Sequence, residues 1–381
     1  MNKKVLIIGN YNSIYIRKLL ESLSRAGDVR LNFYVLSGLK YIHNGLEIYA
    51  LPETKNSLRK LINTRKIIDR VAAEHPDIVH IHYFNAPTIL YVMWSKLFRK
   101  GKLVVTFWGS DLYRISGTPM IKKIIQKSVI KRADVVTVTS EKMIDDFYKI
   151  FDVRDKKVFL TKFAVPIDLK VIDQVSMEEI EKFKKRFSIA ANNIVLTLGY
   201  SADPGKNHMY MIDEVVKLYN TFKNIFVFLP MTYGNVEHRE KVKQYCEEKF
   251  KSRGIKYSIL EEQMSDREVA VLRKATDIMV NVQVSDALSA SMQESLYAGS
   301  IVINGEWLDY SELKREGAYF ETIPRLGPGL LSSKIAYVIE NLYELKEKTV
   351  VNKKIIAKRC DWEEVANNFL TIYDNLLEGK I

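Results

Sequence analysis

The chain has 381 residues, 47% of them hydrophobic and 27% charged, with a formal net charge of +12. These proportions exclude a disordered chain, and the length suits two domains rather than one. Its two cysteines, Cys246 and Cys360, lie far apart in no metal-like spacing, which argues against a disulfide framework and fits a reducing compartment.

In chain order, residues 4–9 read as a buried strand ending in glycine, an apolar run too short for the core of a signal peptide. A helix is expected at 13–26, a strand at 30–36, and a helix at 57–74 that stops before Pro76. Strands at 77–83 and 102–107 flank a helix at 88–98. A basic helix covers 119–132, followed by a strand at 134–139 and a helix at 141–148. Strands apolar throughout, separated by helices, indicate a parallel sheet covered on both faces.

A charged helix at 176–187 reads as a linker, and the pattern then restarts. Strands are expected at 193–199, 225–229, 256–260, 277–282 and 300–304. Helices are expected between them at 209–222, 237–250, 265–274 and 291–298. The reading is α/β, with two doubly wound Rossmann-like domains. The first covers 1–172, with the helix 361–381 packing back on it, and the second covers 173–360. No stretch approaches the length of a membrane-spanning helix, so a cytoplasmic protein is expected, attached peripherally to a surface.

The charge is uneven. Residues 1–170 hold 30 Lys and Arg against 15 Asp and Glu, whereas the remainder holds 28 against 31. A basic half suits an anionic partner: nucleic acid, phospholipid headgroups or a polyphosphorylated substrate. Within it, the 119–132 helix sets Met120, Ile121, Ile124, Ile125 and Ile130 among Lys122, Lys123, Lys127, Lys131 and Arg132. That pattern fits an interfacial helix, and equally a surface helix with its apolar stripe in the core.

The most specific segment runs from Asp286 to Gly299, after a strand and into a helix. Two carboxylates, Asp286 and Glu294, stand eight residues apart, with Ala287, Leu288, Ser289, Ala290 and Ser291 between them. Helix-start N–H groups favour an anion such as a diphosphate, and the carboxylates can accept hydrogen bonds from sugar hydroxyls. Glu294 is placed in the first turn. The competing reading is a capping box of Ser291 and Glu294 that serves only the helix. Gly199, Tyr200 and Lys206 leave the first strand of the second domain, where Lys206 is a candidate cation for a departing diphosphate or a plain loop lysine. Gly9 and Asn10 form the first strand-to-helix turn. Asp111, after Trp108, is placed to orient an acceptor hydroxyl or to cap a helix. His80 and His82 share one face of a strand with no further metal ligand in the sequence nearby, and His82 lies at the strand's carboxyl end.

Asp286 and Glu294, with the following "ESLYAG" helix, resemble the acidic pair of the retaining family-4 glycosyltransferases of the GT-B fold, which carry two glutamates at this spacing. "PDIVHIHYF", "VVTFWGSDLYR" and the closing "CDWEEVANNFLTIYDNLL" also resemble that family in order along the chain. "FLPMTYGNVEHREKV" resembles the fucosamine-type transferases of surface-polysaccharide assembly, which leaves the stereochemistry open. This sequence departs from the family in having aspartate at 286, tyrosine at 200 where an arginine is usual, and one glycine instead of two near Gly9.

The resemblance implies two domains facing a central cleft and a nucleotide-sugar donor, with Glu294 on the donor ribose. Asp111, Lys206 and Asp286 would be catalytic. Gly9, Asn10, Gly199, Tyr200, Lys206 and residues 286–291 with Glu294 would bind the donor. His82, Trp108 and Asp111 would face a lipid-linked or oligosaccharide acceptor. No Asp-x-Asp occurs, so neither metal nor other cofactor is expected. The alternatives are a nucleotide-sugar epimerase of the same fold, which lacks a visible acid/base set, and a non-enzymatic protein that binds an anionic surface. No nucleic-acid module is recognisable, so nucleic acid is not the expected partner.

Overall fold

The structure, a computed structural model, describes residues 3–10, 13–26, 31–36, 42–43, 46–49, 62, 69, 72–73, 75–84, 101–113, 120–286 and 288–381. The helices expected at 57–74 and 88–98 lie outside the described residues, save isolated positions of the first. The chain divides into two compact units. Unit 1 is Met1–Pro166 with Asp361–Ile381, and unit 2 is Ile167–Cys360.

Unit 1 is built on β1 (Lys3–Ile8), β2 (Leu31–Leu36), β3 (Ile42–His43), β4 (Leu46–Tyr49), β5 (Ile78–His82), β6 (Lys102–Thr106), β7 (Val135–Val138) and β8 (Val158–Leu160). They form one sheet in the order β3-β4-β2-β1-β5-β6-β7-β8. Every pairing is parallel except β3 with β4. The sequence reading contained neither this short antiparallel pair nor β8, each of which is too short to show an apolar period.

β5 and β7 are buried at every position, as a sheet covered on both faces requires. Helix α1 (Ile14–Ala26) buries Ile16, Leu19, Leu20 and Leu23, which is one stripe at helical spacing. Next come α2 (Met120–Arg132) and α3 (Glu141–Phe151), the latter burying Met143, Phe147 and Phe151. The terminal helix Trp362–Leu377 packs on α1, and its Phe369 and Tyr373 are fully buried.

Unit 2 carries β9 (Ile194–Leu198), β10 (Ile225–Pro230), β11 (Lys256–Leu260), β12 (Ile278–Asn281), β13 (Ile301–Gly305) and β14 (Glu321–Ile323). They pair in parallel in the order β11-β10-β9-β12-β13-β14. Its main helices are α4 (Met177–Arg186), α5 (His208–Leu218), α6 (Val236–Lys249), α7 (Asp266–Ala275), α8 (Ala290–Ala298), α9 (Leu330–Glu340) and α10 (Leu342–Arg359).

The charged helix read as a linker, α4, is part of unit 2. Ser176 and Glu179 form a capping box at its start. Arg267 on α7 donates through Nε and Nη2 to the two oxygens of Glu179 at 2.8 and 2.6 Å. Phe183 and Phe187 then pack against Phe228 of β10. Its dense charge masked this anchoring in the sequence. Among the described residues, no helix is long and apolar enough to cross a membrane.

In each sheet one pair of neighbouring strands sends its connections in opposite directions: β1 and β5 in unit 1, β9 and β12 in unit 2. Ligands bind open α/β sheets at such switch points, outside the carboxyl ends of the strands.

Candidate active site

The sequence-predicted residues of unit 2 meet at its switch point. β9 ends at Leu198, and Gly199 after it, at a φ of +66°, turns the chain. The loop then closes on itself, because Asp203 Oδ1 accepts Gly205 N at 2.8 Å at the start of a single 3-10 turn, Pro204–Lys206. It is also tied to the exit of β12. Val284 N donates to Gly205 O at 2.8 Å, and Asn207 Nδ2 donates to Val282 O at 2.6 Å.

These ties bring Lys206 to Gln283. The ammonium donates to Gln283 Oε1 and lies 3.6 Å from the centroid of the Tyr200 ring, whose hydroxyl donates to the same oxygen at 3.2 Å. Lys206 is only 8% exposed. Desolvation pushes its pKa down to about 8, against the opposing charges of Asp286 and Asp203. Burial also raises the Tyr200 hydroxyl, with the Asp286 charge adding to it. The amine therefore keeps its proton at neutral pH but holds it weakly.

Asp286 accepts from the buried Tyr310 hydroxyl and from Ser289 N at 3.1 Å. The hydroxyl in turn accepts from Ser289 N at 3.2 Å and from Asn281 Nδ2 at 3.2 Å. Leu288 sits at φ +72°, a left-handed conformation that costs a non-glycine residue about 1–3 kcal/mol and is characteristic of functional loops. Ala287 lies outside the described residues.

Helix α8 begins one residue earlier than expected, at Ala290. Ser289 is its N-cap, accepting Met292 N at 3.3 Å. Glu294 is therefore in the second turn, and the capping box of Ser291 and Glu294 does not form. Instead, Arg273 on α7 donates through Nε and Nη2 to Glu294 Oε2 at 3.1 and 3.0 Å, and through Nη2 to Ser291 Oγ at 2.7 Å. Both charged side chains are 6% exposed.

Three further residues belong to this cluster. Gln283 had a faint signal as a polar residue closing a strand. Arg273, next to Lys274 in the last turn of its helix, reads as an ordinary basic residue of a helix end. Tyr310, 24 residues beyond Asp286, had none.

Unit 1 gathers its own predicted residues at the ends of β1, β5 and β6. Gly9 lies against Ile16 and His82, where an added Cβ would stand 3.2 Å from Ile16 Cδ1 and 3.5 Å from His82 Cβ. Asn10 is exposed in the turn, and its carbonyl accepts Ser13 N at 2.9 Å. His80 is bonded on both sides, to the Tyr373 hydroxyl and to Thr106 Oγ1, each at 2.6 Å. His82 is buried with neither ring nitrogen partnered, and desolvation pushes its pKa down to about 3. Trp108 lies 6.0 Å from it and 4.6 Å from Phe163, between ring centroids.

Asp111 neither caps a helix nor stands open. Its Oδ2 accepts Phe84 N at 2.7 Å and its Oδ1 accepts Trp108 N at 2.8 Å, which locks the exits of β5 and β6 together. Desolvation raises its pKa to about 6, with those backbone N–H groups opposing.

The family model described as glycosyl transferase 4-like matches residues 4–140. Among solved structures, a glycosyltransferase from Rickettsia africae is similar at 15% identity and TM-score 0.78, over 99% of both chains. A sucrose-phosphate synthase from Thermosynechococcus elongatus is similar at 13% identity and TM-score 0.78, over 99% of this chain and 100% of that one. The Anabaena protein HepE, in complex with UDP and glucose, is similar at 14% identity and TM-score 0.76, over 98% of this chain and 99% of that one. No curated protein sequence matches the chain. The fold is GT-B, residues 4–140 carry the glycosyl transferase 4-like match, and the two findings together point to the glycosyltransferase class of enzymes.

Proposed function

We propose that this protein moves a sugar from a nucleoside-diphosphate sugar to a glycan or lipid-linked acceptor in surface-polysaccharide synthesis, with no metal ion, and with retention as the resemblance implies. The observation that carries the donor half is the Lys206–Gln283–Tyr200 cluster beside Asp286 and the start of α8. Lys206 and the helix-start N–H groups neutralise the diphosphate as its bond to the anomeric carbon breaks. Asp286 accepts hydrogen bonds from sugar hydroxyls, and Glu294 receives the ribose. The acceptor oxygen bonds to the anomeric carbon and gives its proton to the departing phosphate. Asp111 holds His82 and Trp108 in place on the acceptor side, with Gly9 and Asn10 at the neighbouring turn.

Binding of UDP, GDP and dTDP, followed by thermal unfolding in the presence of EDTA, tests this reading. One of the three at a hundred times its dissociation constant should stabilise the protein by about 2.7 kcal/mol. The HepE complex with UDP-glucose makes UDP the first to try. The absence of stabilisation by all three would remove the donor-site assignment.

The proposal extends to an anionic membrane surface. Met120 and Ile124 on α2 are 71% and 62% exposed, on a helix that also carries Lys123, Lys127, Lys131 and Arg132. Apolar side chains among cations suit the headgroup boundary. Co-sedimentation with vesicles containing a third phosphatidylserine is expected for the wild type and lost in Met120→Glu/Ile124→Glu. Equal binding to vesicles of phosphatidylcholine alone would argue against an electrostatic surface.

A further inference from the structure

One exposed aromatic ring stands on a loop bridged to the one that carries Lys206. Tyr233, in the loop from β10 to α6, is 61% exposed. Its backbone is nevertheless held firmly. Ala202 N donates to Tyr233 O at 2.7 Å and Asn235 N donates to Ala202 O at 3.1 Å, a single β-bridge between this loop and the loop that carries Lys206. Gly234 makes the bridge possible. It sits at φ +117°, and a Cβ there would lie 2.8 Å from the Ala202 carbonyl carbon and 3.0 Å from two backbone nitrogens. No other residue fits that approach.

A large apolar side chain left in solvent on a fixed backbone invites a ligand face. Desolvation raises the pKa of the Tyr233 hydroxyl, Arg273 and a hydrogen bond with Ser201 oppose the rise, and Glu294 and Asp286 add to it. The bridge sets Tyr233 beside the loop that carries Lys206, in the site where the proposed function places the donor's diphosphate and ribose.

We infer that Tyr233 is a stacking platform for the nucleobase of the donor, and so a residue that sets how tightly the nucleoside end is held. This rests on the donor-site reading of unit 2 and adds a contact to it. Stacking needs a π-face and not the hydroxyl, so phenylalanine should serve as well as tyrosine.

The test is titration calorimetry of wild type, Tyr233→Ala and Tyr233→Phe with UDP, GDP, dTDP and inorganic pyrophosphate. For the diphosphate that the wild type prefers, Tyr233→Ala should bind about tenfold or more weakly, and Tyr233→Phe should match the wild type. Pyrophosphate should behave alike with all three proteins. Equal nucleoside-diphosphate affinity in wild type and Tyr233→Ala overturns the inference while the donor site stands. A loss shared by Tyr233→Phe, or one shared by pyrophosphate, also overturns it by assigning the hydroxyl to the phosphates. A wild type that binds none of the three nucleotides removes both this inference and the reading beneath it. Because the side chain is exposed, both variants are expected to fold, and their unfolding temperatures check this.

Discussion

Replacing Arg273 with methionine should destabilise unit 2 by about 3–5 kcal/mol, the cost of leaving a buried carboxylate without its cation. Glu294 is 5% exposed and receives two of the arginine's N–H groups on one oxygen. Its other neighbours offer no second positive charge at that distance among the described ion pairs. For a unit of this size the loss corresponds to a fall of about 10 °C in unfolding temperature. The double variant Arg273→Met/Glu294→Leu should recover most of it, because an apolar pair of similar volume removes both desolvation costs together. Calorimetric unfolding of the three proteins checks this. A single variant as stable as the wild type would mean that the carboxylate is solvated in solution.

Lys206→Met should lower donor turnover about 10²–10³-fold, the usual result of removing one preorganised group from a developing negative charge. The pH dependence is the more specific readout. The folded-state pKa of Lys206 is near 8, below its ordinary 10.5, because burial disfavours the charged amine. A diphosphate binds the protonated form, so wild-type affinity should fall as pH rises through about 8. The variant should bind weakly and show no such decline.

In the ligand-free protein the sign is opposite. The unfolded chain holds the lysine proton up to about 10.5, while the folded chain releases it near 8. Stability gained from this group therefore rises with pH between those values and is lost as pH falls through about 8. Titrations of nucleoside diphosphate between pH 7 and 9.5 separate the two effects. An unchanged affinity in Lys206→Met would remove the lysine from the donor site.

The sheets were legible because their signal is local. Apolar runs such as residues 194–198 and 278–281 are buried on both faces, so the strand is written in consecutive residues. The loop from Asp286 into α8 was legible for the same reason, since its polar residues and its helix start are neighbours in sequence. What holds that loop was not legible. Tyr310 reaches Asp286 across 24 positions, Arg273 reaches Glu294 across 21, and Gln283 meets Lys206 across 77. No period or spacing encodes such pairs, because each depends on which strands come to lie side by side. The misreading of α4 as a linker has the same cause, since Arg267 stands 88 residues from Glu179. Asp111 was singled out in the sequence as a residue to orient an acceptor hydroxyl or to cap a helix, but its two backbone partners belong to different strand exits, and only the sheet order brings them together.

The terminal helix has a consequence for how the chain is made. Unit 1 consists of two pieces, with the whole of unit 2 inserted between residues 166 and 361. The ribosome thus delivers a nearly complete first sheet long before the helix that covers it. Until that helix arrives, His80 lacks the Tyr373 hydroxyl and the face that receives Phe369 is open to water. Unit 2 is contiguous and can close on itself during synthesis. The unit begun first is therefore completed only after the second, and a chain stopped short of the 362–377 helix is left with a sticky, unfinished first unit.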